Sequence, residues 1–334
     1  MAAVLETFLP VYREIIYNPI QEQFKIQISD LRKTISSVDI GKLFTKVEHF
    51  YNSSWNNSIP FILNFCPEPK SPDLGFSATA FYNLAVSNIP VNDTNYNLIL
   101  SVLFHESFHI LYDEESLSFK NKISNWFTNN PSKVSTYANL LFNEAVTTAL
   151  SSGYLYRELS GSSLKNEDWY HNKYIASMAV AMFPMVKEYL KENKYLDKKF
   201  IDNYIKLYEE KFPGWITDLN NIMSDRFIIA ENHKDYSSII RKFSRGNIEE
   251  YRNELNLLTL QEMKKSPITK VVVITKNNKQ DIHLLKDVFK ELNNWNPDLK
   301  KDFTYSKVLN DKTYLIVVNS INKPVEELIN EIIL

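Results

Sequence analysis

The stretch NLILSVLFHESFHILYDEE, residues 97–115, sets two histidines and a glutamate in the middle of an apolar run. A buried polar side chain needs a partner, or its burial costs roughly 2 kcal/mol or more. On a helix, residues four apart share a face, so His105 and His109 can present ring nitrogens to one point. Glu106 stands one step round, poorly placed to ligate the same ion but able to reach a water bound to it. This is the H-E-x-x-H spacing, and it suits zinc: two neutral imidazoles, a third protein ligand and a fourth position left for water. The flanking Val102, Leu103, Phe104, Ile110 and Leu111 are uncharged, whereas two histidines on an ordinary solvated helix would want a polar face around them.

The third ligand must come from elsewhere. Asp113, Glu114 and Glu115 follow too closely for one helix to wrap its next turn back onto the ion. The metzincin continuation requires Gly at position 112 and His at 115, where this chain has Tyr112 and Glu115. Glu144, in FNEAVTTAL, is the better candidate, because a carboxylate among Leu140, Leu141, Phe142, Ala145 and Val146 is expensive unless paired. Thr148 lies four residues on, and Asn143 and Thr147 are near; Asn143 and Thr148 are the expected hydrogen-bonding support for the ligands.

His105, Glu106, His109 and Glu144, the last within NEAVT, resemble the gluzincin zinc metallopeptidases, in which H-E-x-x-H on one helix is completed by a glutamate on the next. The resemblance covers roughly residues 75–150 at a handful of positions. It implies one zinc ion per chain and hydrolysis of a peptide bond in a peptide or protein substrate. The water's proton would pass through Glu106 to the leaving amine. It implies an edge strand that holds the substrate backbone, matched by TAFYN (79–83), so that Thr79, Ala80 and Phe81 are the expected substrate-binding residues. It also implies a tyrosine or histidine that stabilises the oxyanion. Tyr154, Tyr156, Tyr170, His171, Tyr174, Tyr204 and His233 qualify by type, and His171 is favoured because it just precedes an apolar helix. No G-A-M-E-N-like segment precedes the motif helix, which points to endopeptidase rather than aminopeptidase action. Thr148 stands where the thermolysin-like pattern has aspartate. The rival reading is a non-catalytic or regulatory zinc-binding interaction protein on the same scaffold. A purely structural zinc, however, has no use for Glu106 and prefers four protein ligands.

The elements that must position these residues give an α+β fold class: a predominantly helical zincin-like catalytic domain with a small β-sheet, plus a small C-terminal α/β module. The expected metallopeptidase domain is 1–262, with a helical part at 1–55, the sheet and active-site helices at 59–160 and a further helical part at 170–262. SIPFILNFCP and GFSATAFYNLAVSNIP read as strands. MKKSP (263–267) reads as a linker, and 266–334 as a β-α-β-β-α module.

Composition excludes several function classes. The 38 basic and 40 acidic side chains give a formal charge of -2, which offers no general attraction for nucleic acid. Six glycines and no G-x-G-x-x-G or Walker pattern argue against a phosphate-binding loop. The single cysteine, Cys66, allows no internal disulfide and no thiolate zinc site; it reads as a small buried hydrophobe. No signal peptide is visible at the N-terminus. The longest apolar segment, YIASMAVAMFPMV (174–186), is too short to span a bilayer, so a soluble chain without stable membrane insertion is expected, its compartment open.

Overall fold

Helical periodicity at the N-terminus is expressed as three helices, α1 (Ala2–Tyr12), α2 (Asn18–Ser36) and α3 (Ile40–Tyr51), with a π-helical turn at Arg13–Tyr17 between the first two. The computed structural model describes residues 2–69 and 77–334. The fold is mixed α+β, with two sheets. The chain divides into two units: residues 1–126 with 141–207, and residues 127–140 with 208–334.

The first unit carries a sheet of three strands, β1 (Ile62–Glu68), β2 (Ser77–Phe81) and β3 (Leu84–Pro90), in the order β1-β3-β2. β1 runs parallel to β3 and β2 antiparallel to it. The stretch expected as one strand over 75–90 is therefore a hairpin over its described part, turning at Tyr82 with φ +54; Gly75 and Phe76 lie outside the described residues. The turn hides in sequence because a tyrosine occupies a left-handed position that Gly or Asn would ordinarily fill. Cys66 corrects a second expectation, since it is exposed. It lies on an edge strand whose side chains alternate between faces, and its side falls outward.

Next comes α4 (Tyr96–Asp113), the motif helix, started by Asn95, whose side chain accepts from the Leu98 N–H. It is covered nearly all round: Ile99, Leu100, Leu103, Phe108 and Leu111 are fully buried. After α5 (Leu117–Thr128) comes α6 (Ser135–Thr148), which carries Glu144. Aromatic side chains hold α6 beside α4. The Phe142 ring lies 6.5 Å from that of Tyr112 on α4 and 5.0 Å from that of Tyr204. Tyr51 on α3 meets Tyr112 edge-on at 5.4 Å. Each such ring contributes on the order of 1.5–3 kcal/mol by burial. A π-helical segment, Ala149–Leu155, prolongs α6 into α7 (Tyr156–Ser160), and α8 (Lys173–Lys191) and α9 (Lys198–Lys211) follow.

The second unit is a five-stranded α/β layer. After the short α10 (Leu219–Ile222) the chain runs β4 (Asp225–Ile229), α11 (His233–Lys242), β5 (Ile248–Arg252), α12 (Leu257–Lys265), β6 (Thr269–Ile274), α13 (Asn278–Val288), β7 (Phe303–Val308), β8 (Tyr314–Asn319) and α14 (Val325–Leu328). The sheet order is β5-β4-β6-β8-β7, parallel throughout except for β7. The β-α-β-β-α order expected at the C-terminus is present, but 170–262 is not helical throughout. β4 and β5 lie inside it, and the sheet begins at Asp225 rather than near residue 266. DRFII is a five-residue run buried on both faces, too short to carry a helical signal of its own. Its charge is masked by partners: Arg226 donates to Glu249 Oε2 from Nε at 3.0 Å and to the Met223 and Phe243 carbonyls at 2.8 and 2.7 Å. Residues 127–140 belong to this unit through bonds such as Lys312 Nζ to Ser135 Oγ at 2.9 Å. Among the described residues no helix is long and apolar enough to cross a membrane.

One glycine in the first unit is required by close approach. A Cβ on Gly153 would lie 2.7 Å from the Phe183 ring and 2.8 Å from that of Trp169. Both rings are buried against one another, with centroids 5.4 Å apart. Gly153→Ala is expected to lower stability by about 1–3 kcal/mol through overpacking, seen as a lower urea midpoint at unchanged slope. An unchanged midpoint would mean that the two rings have room to give.

Candidate metal centre

α4 and α6 bring His105, His109 and Glu144 to one point. The two Nε2 atoms are 2.9 Å apart, His105 Nε2 is 3.4 Å from Glu144 Oε2, and His109 Nε2 is 3.3 Å from Glu144 Oε1. Ligands at about 2.0–2.1 Å from a tetrahedral ion stand roughly 3.3 Å from one another, so the two histidine–glutamate separations fit and the histidine pair is slightly tight. Among the described residues this is the one cluster of three or more histidine, cysteine or acidic side chains that could hold a metal ion. Asp113, Glu114 and Glu115 stand outside it.

What surrounds the cluster decides its character. His109 Nδ1 lies 3.1 Å from Asn143 Oδ1. The same oxygen accepts from Thr147 Oγ1 at 3.3 Å, and Thr147 is held in turn by the Tyr51 hydroxyl at 3.0 Å. An acceptor at Nδ1 puts that ring's proton there and turns the Nε2 lone pair toward the cluster. His105 Nδ1 lies 3.2 Å from Ser151 Oγ, and that hydroxyl donates to the Thr148 carbonyl at 3.4 Å. With the hydroxyl hydrogen on that carbonyl, the oxygen can accept from His105 Nδ1, the tautomer that turns the second Nε2 lone pair inward. Glu144 Oε2 is buried without a hydrogen-bond partner. Three electron-pair donors thus converge, and a proton on one Nε2 or a metal ion at the centre relieves their mutual repulsion.

The titration behaviour follows the same logic. Burial alone pushes the Glu144 carboxyl up, but the two imidazoles outweigh it and hold it well below the usual carboxylate range. Burial pulls His109 down, yet Glu144 more than reverses this and its pKa is raised. His105, more deeply buried, is lowered by desolvation despite Glu144. In the metal-free protein His109 is thus the imidazole that most readily takes a proton in place of a metal ion.

A cleft of about 340 Å³ opens beside the cluster, lined by His105, Glu106, Leu98, Val102, Ser152, residues 168–171 and the first two residues of β2, Ser77 and Ala78. Glu106 is partly buried; desolvation raises its pKa, with the nearby His109 opposing and the Glu144 charge adding to the rise. Tyr170 lies with its ring 5.7 Å from that of His105 and stacks on His171 at 4.4 Å. Its hydroxyl is pushed well above the usual phenol range by burial and by the Glu144 carboxylate it meets.

The structure therefore brings together His105, Glu106, His109, Glu144, Asn143 and His171. Thr148, the expected support for a ligand, is buried with its hydroxyl unpartnered, and Thr147, one residue earlier, makes the bonds instead. Thr79, Ala80 and Phe81 lie on β2, an edge strand as expected, but the cleft is lined by Ser77 and Ala78 at its start. Ser151 has little signature in the sequence; its one signal is the spacing of seven from Glu144, two turns along the same helical face. Comparison with protein-family models, curated proteins and solved structures gives no match.

Because Glu144 raises the pKa of His109, a proton and a metal ion compete for that imidazole. Zinc affinity is expected to rise with pH through and beyond the ordinary imidazole range. Titration of the metal-free protein with zinc at pH 7, in two buffers of different ionisation enthalpy, should give heats that differ in the sense of proton release. Equal heats would contradict the protonation pattern.

Proposed function

We propose that the chain is a zinc-dependent metallopeptidase with a zincin-like catalytic unit of gluzincin type. The observation that carries the reading is the convergence of His105, His109 and Glu144 with Glu106 beside them on the wall of an open cleft. Two imidazoles and a carboxylate suit zinc with one position left for substrate or water. The same donors also suit ferrous iron, and Glu106 is what turns the reading toward hydrolysis, since a raised carboxylate beside the open position is a general base in waiting.

His105, His109 and Glu144 would hold the ion, which supplies Lewis acidity to a water and to the scissile carbonyl. Glu106 accepts the proton that the attacking water gives up and delivers it to the departing amine nitrogen. Its raised pKa matters twice: the group is a stronger base than a solvated carboxylate, and its protonated form lasts long enough to act as an acid. Tyr170 keeps its proton across the physiological range and is the donor assigned to the developing oxyanion, with the exposed His171 as the second donor at the cleft mouth. Among the described residues the outer edge of β2 pairs with no further strand, and it would offer its backbone groups to an extended peptide. Ser77 and Ala78 meet the reacting segment, and Thr79, Ala80 and Phe81 continue the same edge. Leu98 and Val102 give that side of the cleft an apolar lining.

Glu106→Gln separates this reading from a zinc-binding interaction protein. The variant should retain one zinc per chain by elemental analysis and lose at least about 10²-fold in cleavage of a peptide library. Cleavage by the variant at the wild-type rate would remove Glu106, and with it the enzymatic reading.

A further inference from the structure

α6 does not close as an α-helix. Residues Ala149–Leu155 continue it in π geometry, a conformation that is rare and recurs where a helix serves a site. Three consecutive residues of this segment reach three parts of the candidate centre. Ser151, fully buried, places Oγ 3.2 Å from His105 Nδ1. Ser152 Oγ donates to the Trp169 carbonyl at 3.0 Å, tying down the chain just ahead of Tyr170 and His171. Gly153 lets the segment come against the Trp169 and Phe183 rings, where a Cβ has no room.

A hydroxyl has one hydrogen to give. With its hydrogen on the Thr148 carbonyl, Ser151 presents to His105 Nδ1 an oxygen that can accept. The other imidazole is fixed by Asn143 from within α6 proper; His105 has only this serine at Nδ1 among the hydrogen bonds of the described residues. We propose that the π-helical segment is the positioning element of the centre and that Ser151 orients His105, fixing the tautomer whose Nε2 lone pair faces Glu144 and the ion. This deepens the metallopeptidase reading and rests on its metal centre. Ser151 touches neither ion nor substrate in this account and acts through His105 alone.

Thr and Val have the same shape and differ in the hydroxyl, so Ser151→Thr and Ser151→Val share any steric cost and isolate the hydrogen bond. Affinity for Zn2+, measured by competition with a chromogenic chelator, should fall about 10- to 100-fold in Ser151→Val relative to Ser151→Thr. Ser151→Ala should fall likewise relative to wild type. With Co2+ as the bound ion, the visible absorption bands should shift in the Val and Ala proteins and not in the Thr protein. Equal affinities and unshifted bands in the Val–Thr pair would overturn the assignment while leaving the metal centre standing. A wild-type protein that takes up neither Zn2+ nor Co2+ would overturn the metal centre itself, and the role of Ser151 with it.

Discussion

Two imidazole lone pairs held 2.9 Å apart and facing a carboxylate are stable only with positive charge between them. The rings cannot turn away, because each is fixed from behind, His109 by Asn143 and His105 by Ser151. The carboxylate faces both rings from α6, with Oε2 3.4 Å from His105 Nε2 and Oε1 3.3 Å from His109 Nε2. A proton or a metal ion must therefore occupy the point where the three meet, and His109 is where the proton goes when no metal is present. The cluster can be satisfied by a proton or by a metal ion, and the packing that holds its three groups together comes from outside it.

That packing comes from apolar faces whose geometry has little tolerance. α4 is buried on almost every side, and the face that carries its two histidines is turned toward α6. The rings of Tyr51, Tyr112, Phe142 and Tyr204 set the spacing of α3, α4, α6 and α9, which makes the Glu144–histidine distances a property of the core. Close-packed interiors transmit small changes in volume, and Gly153 shows how little slack there is on the cleft side. The same rigidity leaves one wall open, and Glu106 stands on that wall with its carboxylate partly desolvated.

Much of the candidate site is legible in the sequence because its residues violate local expectation. His105, Glu106, His109 and Glu144 each sit in an apolar helical run where an unpartnered polar group is costly, and the helical period places the two histidines on one face. What supports them is harder to read. Thr147 and Thr148 are equivalent by type, and only the helix phase relative to Asn143 selects the first. Ser151 depends on a π turn, which small residues permit without announcing. In the fold, the hairpin turn at Tyr82 and the five-residue β4 escape notice for different reasons: a left-handed tyrosine carries no turn signal, and a strand buried on both faces loses the alternation that would mark it. Cys66 faces outward because its strand lies at the edge of the sheet, a fact set by pairing order rather than by neighbouring residues.

A metal ion on His105, His109 and Glu144 would be seen by anomalous diffraction at the zinc absorption edge from crystals grown with zinc. One peak per chain is expected, within about 2.0–2.2 Å of both Nε2 atoms and a Glu144 oxygen. A fully zinc-equilibrated crystal with no peak at that point, or with its peak on other side chains, would contradict that expectation.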